Sequence, residues 1–436
     1  MTKSSITLPT AIFVCINTIL GAGAFLNLNL LSTTINQWGF LSYLVSALLL
    51  LPLILCLCAL GEKLPQSGGL YVYSKTYLNE FWGFVAGWAY FISKSASVGL
   101  LSHFLASYVR AAIPSLEKLP SLTISFGVIT IITIASSLGA ITRKKIQMLI
   151  TTLKMTPLAF AFIVGFTNFS SAHFVGTTTE FTSFFLAIPS TLYGLIGFEV
   201  ICSIGGLIEN PTINIRRSIL TAFSIVVVIN VLLQLSMYGS LGASLAHSSF
   251  PLADSGALIS PTLYTIGKIL NGAFLTAICG GIIAIMSGNS WNLHTLANNN
   301  YFPFKKKLTQ LNKYNMPNIS LIIQGCIAGL ILVITQNFFP LTNMAIFGVF
   351  ITFLLSSFAA LQITKKEPNP FLASLKAYTS IIVCTGIVCT CLINIYKFGI
   401  SFSFISIFLL GCVIAYCYRS SIFKGSDITD GTNNCK

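Results

Sequence analysis

The sequence predicts an all-α integral membrane protein of about twelve transmembrane helices, on three observations. Hydrophobic residues make up 55% of the 436 residues and charged residues only 8%. A water-soluble domain carries about 25% charged residues, so this chain has too few to cover an aqueous surface. Apolar stretches of about 18–25 residues recur along the whole length, each able to cross about 30 Å of hydrocarbon. The basic residues sort by loop. With the N-terminus cytoplasmic, eighteen of the 24 Lys and Arg fall on the inner side, against four outside: Arg110, Lys118, Lys268 and Lys397. That positive-inside bias places both termini in the cytoplasm, with the cell (inner) membrane as the expected location. The net charge of +14 then reports topology and contact with anionic lipid, and nucleic acid is not an expected partner.

In order, the first span (10–33) is interrupted by Gly21-Ala22-Gly23. The second (39–60) leads into a loop whose Pro65 and Gly68-Gly69 turn the chain back toward the membrane. The third (82–110) is long enough to hide a break and carries a polar stripe, Ser93-Lys94-Ser95-Ala96-Ser97. Spans four (120–140) and five (146–167) follow, with Lys154 about nine residues from the inner end of the fifth. The sixth (184–207) is interrupted at Gly194-Leu195-Ile196-Gly197 and holds Glu199. Spans 216–241, 262–290, 318–337 and 341–363 come next, the second of these also long enough to hide a break, and 376–396 and 400–418 close the set.

The connections leave no room for a soluble domain, so 1–436 is read as one unit. Laying spans 1–5 (10–167) over spans 6–10 (184–363) aligns the two glycine breaks. An odd number of spans per set inverts the second, giving a 5+5 inverted repeat with discontinuous helices 1 and 6 and a peripheral pair at 376–418. In lipid, unwound backbone must be satisfied by protein, water or a bound solute. Matching breaks therefore point to a solute site at mid-membrane, and to a transporter.

Charged side chains at a helix centre cost about 2.5–3.5 kcal/mol to insert, so Lys94, Lys154 and Glu199 each need a reason. Glu199 is expected to couple to the break two residues before it, by taking up and releasing a proton or by holding the break through hydrogen bonds while protonated. Lys94 and Ser97 lie on the polar stripe of span 3, which the resemblance set out below implies lines the substrate path. A lysine there favours an anionic or zwitterionic substrate and repels a dication, although a structural partner for a carbonyl is an equal reading. Glu209 is a gate candidate, paired with Arg217 or another inner basic residue; a solvated loop charge is the alternative. The twelve cysteines lie mostly in apolar runs without a CxxC pair, and the four histidines lack metal spacing, so no metal or cofactor is expected. The first span is too long for a leader core and is expected to stay as a helix. No nucleotide-binding loop, polar catalytic cluster or repeated pore loop is visible, which argues against an ATP-driven pump, a membrane enzyme and a channel.

Four places carry a resemblance: Gly21-Ala22-Gly23-Ala24-Phe25; Leu64-Pro65-Gln66-Ser67-Gly68-Gly69-Leu70-Tyr71; Lys145-Ile146-Gln147 through Thr156-Pro157-Leu158; and Ile196-Gly197-Phe198-Glu199 with Glu209-Asn210-Pro211. In order and spacing the chain resembles the amino acid–polyamine–organocation superfamily of permeases, and Asn300-Tyr301-Phe302-Pro303 is similar to the same family. The resemblance implies an amino acid or amine held between broken helices 1 and 6, with access alternating between the two sides. By position, the backbone of Gly21, Ala22, Gly23 and Ala24 would meet the substrate carboxylate, as a half-helix N-terminus can. Carbonyls near Thr18 and Ile19, and those from Tyr193 and Gly194 to Ile196 and Gly197, would receive the amino group. The alternative use of Gly21 and Gly23 is tight helix packing. Lys154 would stand where sodium-coupled proteins of this architecture hold Na⁺, which implies sodium-independent transport. Tyr193 would be an aromatic lid. The reading is a secondary amino acid transporter, by proton-coupled uptake or by exchange. The alternative is exchange of a cationic amino acid for its decarboxylated amine, of the arginine–agmatine or polyamine type.

Overall fold

The computed structural model describes residues 6–21, 23–66, 68–139, 144–175, 181–364, 369–399, 403–406 and 408–415. Helix dominates these residues; outside it, Ile6 and Ile208 form an isolated parallel bridge. The first half runs α1 (Leu8–Ile19), α2 (Gly23–Ile35), α3 (Gly39–Lys63), α4 (Gly69–Tyr77), α5 (Glu80–Ala112), α6 (Ser121–Ser137) and α7 (Lys144–Thr167). The second runs α8 (Phe181–Leu195), α9 (Val200–Ser203), α10 (Pro211–Leu241), α11 (Pro251–Ala257), α12 (Pro261–Asn298), α13 (Lys305–Leu308), α14 (Asn318–Ile334), α15 (Phe338–Ile363) and α16 (Pro370–Lys397).

Among the described residues, seven helices are long and apolar enough to cross a membrane, and shorter apolar helices such as α1, α6 and α14 accompany them. Polar caps and N-terminal prolines mark where helices begin. The side chains of Asn79, Ser260, Asn337 and Asn369 accept backbone N–H groups at the starts of α5, α12, α15 and α16. Prolines occupy the first turns of α1, α10, α11, α12 and α16, where a missing N–H costs nothing. The expected spans 82–110 and 262–290 hide no break: α5 is continuous over 33 residues and α12 over 38. Neither contains a proline beyond its first turn, and their interior glycines stay helical.

Helix α5 is the pillar of the molecule. It packs against α15, α12, α6, α14 and α4, and its most apolar 18-residue window is 89% buried. Small residues make that burial possible. The helical backbones of α5 and α15 cross so closely that any side chain on Gly348 would collide with the carbonyl of Ala89. At the same crossing Ser93 donates to the Ala345 carbonyl. On α3, α6, α7 and α16, large apolar side chains such as Leu48, Ile131, Ile163 and Ile382 are exposed, as a lipid-facing surface requires. Helix α16 lies against α15 and α3.

The junction of two broken helices

Both expected interruptions are real. Helix α1 ends at Ile19, where Leu20 N–H still reaches the Ile16 carbonyl at 2.8 Å and Gly21 N–H turns back onto the Ile19 carbonyl at 2.7 Å. The helix restarts as α2 at Gly23; Ala22 lies outside the described residues. Helix α8 ends at Leu195, Ile196 N–H closes on the Leu192 carbonyl at 3.0 Å, and Gly197 takes φ +135° before the short α9. That φ lies where L side chains are strained, so a glycine at this point is a backbone requirement.

The two interruptions touch. A Cβ on Gly23 would lie 3.0 Å from Gly194 Cα and 3.4 Å from the Tyr193 ring. One on Gly197 would lie 2.8 Å from the Thr18 carbonyl oxygen and 3.0 Å from Ile19 Cα. One on Gly194 would lie 2.9 Å from Asn27 Nδ2. Gly23 and Gly197 thus let backbone meet backbone at the crossing, and Gly194 leaves room for the Asn27 side chain. Ala24 is buried beside it. The first-turn N–H groups of α2 and the last carbonyls of α8 have no acceptor or donor within their own helices, so a positive and a negative helix end converge here.

Charged and polar side chains are organised around this junction. Glu199 accepts from three donors: Gly197 N–H at 2.8 Å, the Tyr90 hydroxyl at 3.1 Å and Lys94 Nζ at 3.1 Å. This is a carboxylate in a buried ion pair, its side chain 2% exposed and that of Lys94 16% exposed. The Lys94 ammonium also sits over the Tyr90 ring, 5.0 Å from its centroid. Its partner is therefore a carboxylate, and not the backbone carbonyl that the sequence left open. One turn further along α5, the buried Ser97 hydroxyl donates to the Ser93 carbonyl at 3.2 Å. Lys154 reaches across from α7 to the last turn of α1, donating to both the Asn17 carbonyl and the Asn17 side-chain oxygen at 2.9 Å. Two such bonds hold its ammonium inside the protein instead of at the interface.

Two asparagines were missed by the sequence reading. Asn17 is the Lys154 acceptor, and Asn27 donates to the Tyr43 hydroxyl at 3.0 Å and the Ser190 carbonyl at 2.8 Å, tying α2 to α3 and α8. Their signal was present, since an amide inside an apolar span needs a partner. Beneath the junction, Gly68 (φ +116°) and Gly69 turn the chain so that Gly68 N–H meets the Ser203 carbonyl at 3.2 Å. The loop after α3 is thereby docked on α9.

The side of the protein bearing Glu62 and Glu209 carries two cross-connections. Ile6 and residues 207–209 exchange backbone hydrogen bonds of 2.7 and 3.0 Å. Arg216 grips Glu62 through two bonds of 2.6 and 3.0 Å. Glu62 and Arg216 thereby join α3 to α10 on this side, and the Glu209 backbone N–H is the one that meets the Ile6 carbonyl. On the other side of the junction a cavity of about 310 Å³ opens, lined in part by Phe25, Asn29, Tyr108, Asn271 and Phe338. It begins two residues from Gly23.

The model of a family described as amino acid permease matches residues 6–416. The chain belongs to that family. The permease is 24% identical over 373 residues to the serine/threonine exchanger SteT of Bacillus subtilis, covering 84% of each chain. It is 24% identical over 350 residues to the putrescine transporter PotE of Escherichia coli, covering 76% of the permease and 77% of PotE. With the amino-acid permease RocC of Bacillus subtilis it shares 26% identity over 350 residues, 72% of the permease and 70% of RocC. The permease is accordingly a multi-pass membrane transporter of the amino acid class and not an enzyme.

Proposed function

We propose that the permease is a secondary active, sodium-independent amino acid transporter, working by exchange or by proton-coupled uptake. The observation that carries this is the contact of the two breaks, Gly23 on Gly194 and Gly197 on Thr18. In this reading the substrate carboxylate takes the N–H groups at the start of α2, around Gly21, Ala22, Gly23 and Ala24. The amino group takes carbonyls at the end of α1 (Thr18, Ile19) and at the end of α8 (Tyr193 to Gly197). Tyr193 covers the bound molecule. Lys154, held by Asn17, supplies beside α1 the positive charge that a coupling Na⁺ would otherwise supply, and Glu199 is the group whose pairing changes during the cycle.

The arrangement around it is a twelve-span fold with a 5+5 inverted repeat (10–167 and 184–363), a peripheral pair at 376–418, and both termini in the cytoplasm of a cell with its inner membrane as host. The cavity over Phe25 is then the outer approach, and the Glu62–Arg216 pair with the Ile6 pairing is the closed inner gate. A second reading, exchange of a cationic amino acid for its decarboxylated amine, draws support from the likeness to a putrescine transporter.

Counterflow tests the proposal. The purified permease is reconstituted in liposomes loaded with single amino compounds, and uptake of the labelled compound is followed with pH and Na⁺ varied. Trans-stimulated uptake that persists when choline replaces Na⁺ is expected. Flux that ignores the loaded compound would indicate a channel, and a strict Na⁺ requirement would remove the role given to Lys154.

A further inference from the structure

We infer that the permease carries neutral amino acid zwitterions, and that Lys94 sets this selectivity by occupying Glu199 from within. The inference rests on the transport reading above and names its substrate class. Away from the span ends, the described apolar helices carry three acidic or basic side chains around the junction: Lys94, Lys154 and Glu199. A cationic side chain or a diamine entering a membrane core needs a carboxylate to receive its second charge, because an unpaired ion there is costly. Glu199 is the carboxylate at this junction, bonded to the very glycine that makes the α8 break. Both of its oxygens are in use: Oε2 by Gly197 N–H, Oε1 by Tyr90 and by Lys94. The ammonium of Lys94 thus holds the position in which a second substrate cation would be stabilised.

With that pair neutral, the remaining charge is Lys154, bound to the Asn17 amide and carbonyl oxygens rather than to a carboxylate. Among the described residues, then, no carboxylate bonds Lys154, and the junction also presents the positive end of α2. A ligand with one carboxylate and one amine matches it: its carboxylate answers the positive end of α2, and its amine the carbonyl end of α8. A diamine offers no carboxylate to α2. Asp254 accepts from Ser248, a residue that lines the cavity beyond Phe25 rather than the junction. Selectivity of this kind comes from a repulsive element, here a resident cation, as much as from attraction.

The test uses the full-length permease in liposomes and compares initial counterflow rates for serine, threonine, alanine and leucine with those for arginine and putrescine. The best neutral compound is expected to exceed both cations by about tenfold or more. Wild-type exchange of arginine or putrescine within about threefold of the best neutral compound would overturn the inference while leaving the transport reading intact. Should no compound exchange, the transport reading itself falls, and the inference with it. Lys94→Met exposes Glu199 and is expected to raise the cation-to-neutral ratio by about tenfold. Adding Glu199→Gln to it should return the ratio toward wild type. A merely structural ion pair would lower all rates together and leave the ratio where it was, which overturns the inference; if Lys94→Met does not elute as a monodisperse protein, the wild-type panel decides alone.

Discussion

Gly197→Ala puts the contact of the two breaks under the most direct strain. Alanine would have to hold φ near +135°, a backbone state that costs a non-glycine residue on the order of 1–3 kcal/mol. Its methyl would also stand 2.8 Å from the Thr18 oxygen and 2.9 Å from the Thr18 carbonyl carbon. These neighbours are backbone, so they yield only if α1 and α8 separate by about half an ångström, an overpacking worth about 1–3 kcal/mol. Together the two effects amount to about 2–6 kcal/mol, and since 1.4 kcal/mol is a factor of ten, uptake should fall by well over tenfold. The assay pairs thermal melting in detergent with counterflow in liposomes. Gly127→Ala is the control: a Cβ there meets nothing within 4 Å, so melting and uptake should stay at wild-type values. Gly197→Ala with unchanged melting and unchanged uptake would refute the claim that the breaks are pressed together at this residue.

Other outcomes follow from the same geometry. Gly23→Leu drives a side chain into Gly194 and Tyr193 and should abolish substrate binding while the protein still elutes as a folded species; binding that survives counts against the junction as the site. Lys154→Met removes both bonds to Asn17 and should reduce exchange by about tenfold or more; wild-type rates in that variant would strip Lys154 of its role. For Glu199→Gln, uptake is measured from acidic to alkaline pH, and a profile identical to wild type would discard proton handling by Glu199. Arg216→Glu breaks an exposed pair worth about 0.2–1 kcal/mol, so exchange should change by only a few-fold, and the charge-swapped Glu62→Arg/Arg216→Glu double variant should bring it back. A single variant indistinguishable from wild type would remove this pair from the gate.

Much of the fold was legible because lipid leaves so few options. A run of about 20 apolar residues has to become a helix when no water is present to satisfy its backbone, and so span 39–60 became Gly39–Lys63 and span 341–363 became Phe338–Ile363. The breaks were legible for the same reason, since Gly21 and Gly197 interrupt the apolar pattern where a continuous helix would have no use for them. Length alone misled at α5 and α12, which are simply long helices. The partners of the charges were hidden. Lys94 and Glu199 are separated by 105 residues, Lys154 and Asn17 by 137, and Glu62 and Arg216 by 154.

By itself, then, the sequence determined the solvent, the helices and the two places where helix gives way, because each depends on local composition and on the price of an unsatisfied peptide group in hydrocarbon. Only the tertiary structure decided which charges meet. A side chain's partner is set by how whole helices cross, and those crossings are governed by small residues such as Gly23, Gly194 and Gly348. Their packing brought Lys94 to Glu199 and Lys154 to Asn17, and with them the charge balance of the site.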